Sequence, residues 1–241
     1  SRFEISEYSN FVKMFTLALL LPLLVGVFGQ TPTRCCYSHK FDGILMEVGA
    51  SLPLGSSTPS IFDASNGISY DFDEKVMWLN RSQLNTTSGK WDHVTILRQY
   101  KESKEFIVQN GHCYSQRIDP DSITPPCVPD SLNYGGSYMI GSGANAVKVN
   151  NWRGNINGTT LSLNVQASDC TPISESIYGV IGSSNNIMSY VFANLKPSVA
   201  HPANFHQPAI CAHAIPLDAV GKRDLEEVVE KIDSSLVPFF L

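Results

Sequence analysis

Short apolar segments alternate with polar turns along most of the chain. Runs rich in Val, Ile, Thr and aromatic residues are separated by clusters of Gly, Asn, Asp, Ser and Pro, which is typical of antiparallel β structure. The pattern predicts roughly nine to eleven strands in one sheet system. The predicted strands are Ile44–Val48, Lys75–Leu79, His93–Tyr100, Glu105–Gln109, His112–Ile118, Tyr138–Ile140, Ala146–Val149, Thr160–Val165, Ser176–Ile181 and Ile187–Phe192.

Residue types also predict the turns between these strands. Asn110-Gly111 favours the positive φ angles that a tight hairpin turn requires, and Lys101–Lys104 is a charged turn between two strands. Asp71 and Asp73 indicate a turn before Lys75. Residues 119–136 contain four prolines, so we expect a long irregular crossover there.

The C-terminal part of the chain has a different periodicity. Residues 224–236 repeat apolar positions with helical spacing, and their acidic residues lie near the expected helix N-terminus. We therefore predict a short amphipathic helix within a tail of residues 214–241. Its apolar face consists of Leu225, Val228, Val229, Ile232 and Leu236.

The N-terminal part resembles a secretory signal. Residues 14–29 begin with Met14, follow Lys13, and end in an apolar run with small residues before the expected cleavage point. A membrane anchor or a buried helix is the alternative, but the run is short for a bilayer span. We therefore expect residues 1–13 to be translated upstream sequence and residues 30–213 to form the β domain. We expect a secreted, extracellular protein without a transmembrane anchor.

The cysteines fit an oxidising compartment. All six follow the predicted cleavage point, and an even number in such a compartment favours disulfide bonds. The competing interpretation is a zinc site, but no pair has the spacing of a zinc ribbon. We expect bonds among Cys35, Cys36, Cys113, Cys127, Cys170 and Cys211.

Three sequons add to this picture, because Asn80, Asn85 and Asn157 each satisfy the acceptor pattern for N-linked glycans. A glycan cannot be buried, so these segments should face solvent. The net charge of −5 argues against nucleic acid as a partner. The sequence indicates no resident cofactor.

Side chains that could hold a metal are scattered. The acidic group Asp63, Asp71, Asp73 and Glu74 could give weak calcium affinity, although the rest of an EF-hand loop is missing. The alternative is a set of ordinary turn residues. Three histidines in the C-terminal region could also bind a metal, but they lack ligand spacing. These are His201, His206 and His213.

Familiar catalytic motifs are missing from the sequence. There is no G-x-S-x-G elbow and no H-E-x-x-H pair. Gly141-Ser-Gly143 lies among strands without a following helical pattern, so it is a poor dinucleotide loop. We therefore expect a protein that is not an enzyme.

An ordered set of short motifs runs along the chain: Phe41–Gly43, Ser69–Asp71, Tyr138–Trp152, Asp169–Pro172 and Phe205–Cys211. This set resembles the ependymin-related family of secreted glycoproteins, as found in invertebrates. The resemblance covers about residues 35–211, with the motifs in the family's order and at similar spacing.

The resemblance implies a fold and a set of contacts. It implies a strongly curved antiparallel sheet, a half-open barrel, around a deep apolar pocket, and a homodimer. Carried over by position, it pairs Cys113 with Cys211 and one of the two vicinal cysteines with Cys170. Our best assignment of the vicinal pair is Cys36–Cys170 and Cys35–Cys127.

The same resemblance implies that the protein carries a hydrophobic molecule such as a lipid, with weak calcium binding. The alternative function is a structural component of an extracellular or mineralised, shell-type matrix. Strand alternation predicts which residues line the pocket. The same residues could equally pack together as a dry core. These are Ile140, Val147, Val149, Trp152, Leu163, Val165, Tyr190 and Phe192.

Overall fold

A computed structural model describes residues 31–85, 89–156, 158–181 and 183–217. By its internal contacts the chain divides into Ser1–Thr33 and Arg34–Leu241, and the structural statements below concern the second unit. The predicted signal peptide at residues 14–29 and the predicted helix at residues 224–236 lie outside the described residues.

Within the described residues, twelve strands form one sheet. The strands are β1 (Lys40–Pro53), β2 (Ser60–Asp71), β3 (Val76–Asn85), β4 (Lys90–Gln99), β5 (Lys104–Gln109), β6 (His112–Arg117), β7 (Asn133–Ile140), β8 (Val147–Ile156), β9 (Thr159–Gln166), β10 (Pro172–Ile181), β11 (Ser184–Lys196) and β12 (Ile215–Pro216). Three short 3-10 helices accompany them: Gly143–Asn145, Pro202–Phe205 and Ala209–His213.

The spatial order of the strands is β12-β6-β5-β4-β3-β2-β1-β11-β10-β9-β8-β7. Neighbours are antiparallel throughout, except that β12 runs parallel to β6. The long strands β1 and β11 pair in the middle and join a half made of β1–β6 to a half made of β7–β11. The sheet is not closed into a complete barrel, which agrees with the curved, half-open architecture expected from the sequence.

The predicted strands all exist, but the expected number was too low. Strand β2 was missed because Asn66, which is buried, interrupts the apolar alternation of Phe62, Ala64 and Ile68. Strand β7 begins at Asn133, inside the stretch predicted as an irregular crossover. The pairing of Ile215 with Tyr114 also extends the sheet beyond the predicted end of the β domain at residue 213.

The predicted turn residues have the expected backbone conformations. Asn110 and Gly111 have φ angles of 51° and 77° between β5 and β6, and Ser103 has a φ of 52° between β4 and β5. Positive φ at both central residues matches the twist of the two strands, so Asn-Gly at 110–111 fixes this hairpin.

The main hydrophobic core covers one face of the curved sheet, which we call the concave face. Buried side chains from both halves meet there, from Ile96 on β4 and Ile68 on β2 to Leu161 on β9 and Ile177 on β10. The segment of residues 118–132 crosses this face, and its Ile123, Val128 and Leu132 belong to the same cluster.

A smaller cluster lies on the other face, which we call the outer face. Val76, Leu97 and Phe106 pack there against Phe205 and Ala214, which lie in and after the two 3-10 helices of residues 202–213. The Cys113–Cys211 disulfide belongs to this cluster and ties the helical segment to β6. Part of the outer face of β3–β6 is therefore covered.

Candidate ligand-binding site

Most of the predicted pocket residues are buried in the concave core. The main cluster contains Trp152, Leu163, Val165, Tyr190 and Phe192, all at most 7% exposed. They are packed side by side, so in this conformation the concave face is filled by its own side chains.

The three remaining predicted pocket residues are placed differently. Ile140 is 42% exposed and Val147 is half-buried, so neither belongs to the concave core. Val149 is fully buried but is not part of that cluster. Because Val149 and Trp152 are three positions apart on β8, a regular strand directs their side chains to opposite faces. The prediction was wrong in placing both sets of residues on one face.

A group of buried polar side chains lies among these apolar residues. We call Glu47, Asn66, Arg81, Glu175 and Tyr190 the concave polar cluster, and each is at most 3% exposed. Burying charged groups is costly unless they are paired. Two carboxyl groups and a guanidinium in the core therefore need an explanation beyond packing.

Strand register explains how residues distant in sequence meet in the cluster. Glu47 on β1 lies opposite Tyr190 on β11, and Tyr190 lies opposite Glu175 on β10. The same row continues through Leu163 on β9 to Trp152 on β8. Two carboxylates thus occupy one cross-strand row with three of the predicted pocket residues.

Arg81 and Asn66 approach the row from the neighbouring strands. Arg81 Nη1 donates to Glu47 Oε2 at 2.5 Å, and Asn66 Nδ2 donates to the Leu45 carbonyl at 3.1 Å and to the same Glu47 oxygen at 3.4 Å. Arg81 Nε also donates to Gln83 Oε1 at 3.1 Å. These bonds fix the Glu47 carboxylate against the Arg81 guanidinium.

Several buried polar atoms here lack a hydrogen-bond partner in the part of the chain that the structure describes. They include Glu47 Oε1 and Arg81 Nη2, the free ends of the ion pair, and Trp152 Nε1 in the same cross-strand row. An unmade hydrogen bond in the core costs about 1–3 kcal/mol, and more for a charged group. These atoms are therefore available to a bound polar group.

Burial also sets the ionisation of the cluster. Removal from water raises the pKa of Glu47, and the Arg81 charge and its hydrogen bonds oppose this rise without cancelling it. Burial, followed by the nearby charges of Glu47 and Glu175, raises the pKa of Tyr190 well above its usual value. The cluster thus holds two carboxyl groups and one guanidinium, all removed from water.

The segment of residues 118–132 closes one end of the concave face. Arg34 Nη2 donates to the carbonyls of Leu132 at 2.6 Å and Asp130 at 3.0 Å, and its guanidinium lies 5.5 Å from the centroid of the Trp152 ring. The Tyr70 hydroxyl donates to the Thr124 carbonyl. The hairpin tips β1–β2, β8–β9 and β10–β11 lie at the opposite end of the strands.

The disulfides reverse the expected pairing of the vicinal cysteines. Cys35 is bonded to Cys170 and Cys36 to Cys127, whereas Cys36–Cys170 and Cys35–Cys127 had been assigned. Cys36 lies opposite Cys127 in an antiparallel bridge, flanked by a bond from the Val128 amide to the Cys35 carbonyl. Adjacent residues of an extended segment point to opposite sides, so Cys35 is left to reach Cys170. The structure joins Cys113 to Cys211, the pair that the resemblance implies.

The predicted glycan acceptors are only partly described. Asn80 is exposed in the middle of β3, where it pairs with Thr95 of β4. Asn85 is the last residue of β3, and its side chain lies outside the described set. Asn157 lies outside the described residues.

The scattered metal-binding candidates do not come together. No group of three or more His, Cys, Asp or Glu side chains among the described residues is placed to hold a metal ion. His201, His206 and His213 are exposed, and Asp71 accepts the backbone amides of Asp73 and Glu74 in the turn before β3. Among the same residues, no helix is long and apolar enough to cross a membrane.

Some functional candidates were not found by sequence reasoning. Glu47 lies within a predicted strand, but the sequence analysis gave it no role. Glu175 precedes another predicted strand, and Asn66 and Arg81 lie beside segments interpreted as a turn or a strand end. A signal was present in β1, because Leu45 and Glu47 share one face while the exposed residues are Met46 and Val48.

The fold and cluster define a class of protein: a disulfide-bonded, half-open β sheet with a buried polar group inside its apolar face. The family model named Ependymin matches residues 88–211. The chain belongs to the ependymin family, a family of secreted glycoprotein type.

Two solved structures are similar to this chain at low sequence identity. An uncharacterized conserved protein from Thermus thermophilus is 9% identical, with a TM-score of 0.44 over 74% of this chain and 90% of that protein. A crystal structure of PNGF-II in the C2 space group is 8% identical, with a TM-score of 0.34 over 76% of this chain and 32% of that protein. No curated protein matches the sequence.

Proposed function

We propose that the protein is a secreted, non-enzymatic glycoprotein that binds a hydrophobic ligand such as a lipid on the concave face of its sheet. The observation that carries the proposal is the single curved sheet, whose apolar face is covered by its own curvature and by residues 118–132 rather than by a second layer. A sheet of this kind can admit a ligand when the hairpin tips at its uncovered end separate.

Family membership supports the non-enzymatic part of the proposal, because the ependymin family is not known as enzymatic. The three disulfides and the family support secretion. Weak calcium binding stays a prediction of the resemblance.

Ligand binding is tested by native mass spectrometry of the full chain secreted from eukaryotic cells. We expect a co-purifying apolar molecule that is released by delipidation and restored by lipid extract. A chain that emerges empty and takes up no lipid after delipidation would contradict the proposal.

A matched pair of variants locates the ligand. Ile177→Phe adds volume to the concave core, where Ile177 is fully buried, and should reduce lipid uptake because the space is already filled. Ile187→Phe makes the same change at a site 62% exposed on the outer face and should leave uptake unchanged. Intact mass with three disulfides checks that both variants fold. Equal uptake by the two would place the ligand elsewhere.

The exposed sequon of β3 tests the glycoprotein part. Asn80→Gln should lower the intact mass of the secreted protein by one glycan, because Asn80 is accessible to the glycosylation machinery. An unchanged intact mass would show that Asn80 carries none.

The outer face supports self-association as a homodimer, and through it the alternative role in an extracellular matrix. An outer apolar patch is formed by neighbouring strands: Met46 pairs with Val191, and Ile187 pairs with Tyr178. Met46, Val48 and Ile187 are 53%, 57% and 62% exposed. Contiguous apolar surface of this kind marks interaction sites.

Light scattering after size-exclusion chromatography tests the homodimer. Val48→Lys should shift a dimer to monomer, because it places a charge at the centre of the patch. Glu102→Lys, in an exposed turn, should leave the mass unchanged. If the wild type is a monomer, or if both variants are dimers, this face is not the homodimer interface.

A further inference from the structure

We propose that Glu47 and Arg81 bind the polar end of the ligand, and that this end is an uncharged group which both donates and accepts hydrogen bonds, such as an alcohol. The inference rests on the proposed binding of an apolar ligand on the concave face. It assigns a polar subsite to a face otherwise lined by hydrocarbon.

The ion pair has one free atom on each side. Glu47 Oε2 and Arg81 Nη1 bond each other at 2.5 Å, which leaves Glu47 Oε1 and Arg81 Nη2 buried and without partners in the described part of the chain. A hydroxyl oxygen can accept from Nη2 while its proton is donated to Oε1. One hydroxyl therefore supplies both the acceptor that Nη2 needs and the donor that Oε1 needs.

The charge of the cluster selects against an anion. Glu47 and Glu175 flank Tyr190 in one row, and Arg81 is the cation paired with Glu47. A ligand carboxylate would add a negative charge to a site that already holds two acidic groups for one guanidinium, and from which water is largely excluded. An alcohol of the same length adds none.

The apolar row next to the cluster suits a hydrocarbon tail. Towards the hairpin tips, the concave face continues with Phe62, Met188, Ile177 and Leu161, all at most 2% exposed. Met188 is unbranched and flexible, so it can rearrange around an entering chain. The ligand then lies with its polar end inward and its tail towards the tips.

Equilibrium dialysis of the full secreted chain, after delipidation, tests the inference with radiolabelled dodecan-1-ol, dodecanoate and dodecane at about pH 8, where a fatty acid is ionised. We expect dodecan-1-ol to bind at least about tenfold more tightly than dodecanoate, the ratio that one hydrogen bond or one unfavourable charge commonly produces. Dodecane should bind more weakly than the alcohol.

Glu47→Gln removes one carboxylate with little change in shape. It should bring the affinities for dodecanoate and dodecan-1-ol to within about threefold of each other, because the site loses one of its two acidic groups. Glu102→Gln makes the same chemical change in an exposed turn and should leave the wild-type ratio intact. Replacing both Glu47 and Arg81 by Met should abolish the advantage of the alcohol over dodecane.

The outcomes separate this inference from the proposed function. Saturable binding of all three probes with equal affinity, or tighter binding of dodecanoate, would overturn the polar subsite and leave the proposed function standing. The polar subsite would also be overturned if the ratio of the affinities for dodecan-1-ol and dodecanoate were the same in Glu47→Gln as in Glu102→Gln. Binding of no probe would overturn both. If Glu47→Gln fails to fold, the wild-type ratio of alcohol to acid decides alone.

Discussion

Removing the Cys36–Cys127 disulfide gives a quantitative test of how the crossover of residues 118–132 is held. Cys36 is exposed and Cys127 is half-buried, so Cys36→Ser with Cys127→Ser leaves no large cavity. The amide of Tyr37 still donates to the Pro126 carbonyl at 2.8 Å, which keeps the native contact in place. The lost stability should therefore come mainly from the unfolded chain.

The magnitude follows from loop lengths. Alone, a bond across a sequence separation of 91 is worth about 4.6 kcal/mol in the chain-entropy model. Here Cys35–Cys170 already closes a loop of 135 residues, and the remainder of that loop offers a shorter path of about 44 residues. In the unfolded chain, the direct path across a separation of 91 and the shorter path of about 44 residues together act like a single loop of about 30 residues. We therefore expect the variant to lose about 3.6 kcal/mol of unfolding free energy.

Urea unfolding under non-reducing conditions measures the loss, with intact mass confirming the two remaining disulfides. Replacing Cys35 and Cys170 by Ser should cost more, about 4 kcal/mol from loop closure plus the burial of Cys170, which is 2% exposed. The reasoning would be refuted if the variant without the Cys36–Cys127 disulfide lost less than about 1 kcal/mol of unfolding free energy, while the dependence of that free energy on urea concentration stayed unchanged.

Two further predictions concern the concave face. Burial raises the pKa of Glu47 above 4.5, so its stabilising contribution is complete below that pH and is lost as the pH rises through the folded-state pKa. The free energy of unfolding of the wild type minus that of Glu47→Gln should fall over this range in urea titrations; a difference that grows with pH would contradict the sign. Trp152→Ala should cost about 3–5 kcal/mol by the same assay, whereas Trp91→Ala, at a site 54% exposed, should change stability by less than about 0.5 kcal/mol. Equal costs would contradict the placement of Trp152 in the core.

The predictable parts of this fold are those in which local chemistry decides. Alternation located β4, β5 and β9, and Asn110-Gly111 located a hairpin, because a φ preference and a period of two are properties of neighbouring residues. The resemblance supplied the curved sheet and the partner of Cys113. The curved sheet and the pairing of Cys113 both follow mainly from the order of the elements along the chain.

The missed parts depend on contacts between distant strands. Nothing within the Cys35-Cys36 dipeptide tells which sulfur faces Cys127; the direction of the chain beside Pro126 decides it. Likewise, no residue near Glu47 in the sequence provides its ion-pair partner, because Arg81 is 34 residues away and the fold brings it alongside. A charged side chain can be buried when an oppositely charged partner lies beside it, and the strand topology determines which residue that partner is.

The two outer strands of the sheet, among the residues that the structure describes, have a further consequence for contacts between molecules. β12 is only two residues long and includes Pro216, which has no backbone N–H to offer a further strand. At the other edge, β7 has a register irregularity between Tyr134 and Gly136, and Gly136 has a φ of 122°. Both edges are thus poor templates for strand addition, so the molecules can crowd together through side-chain surfaces without joining into fibrils.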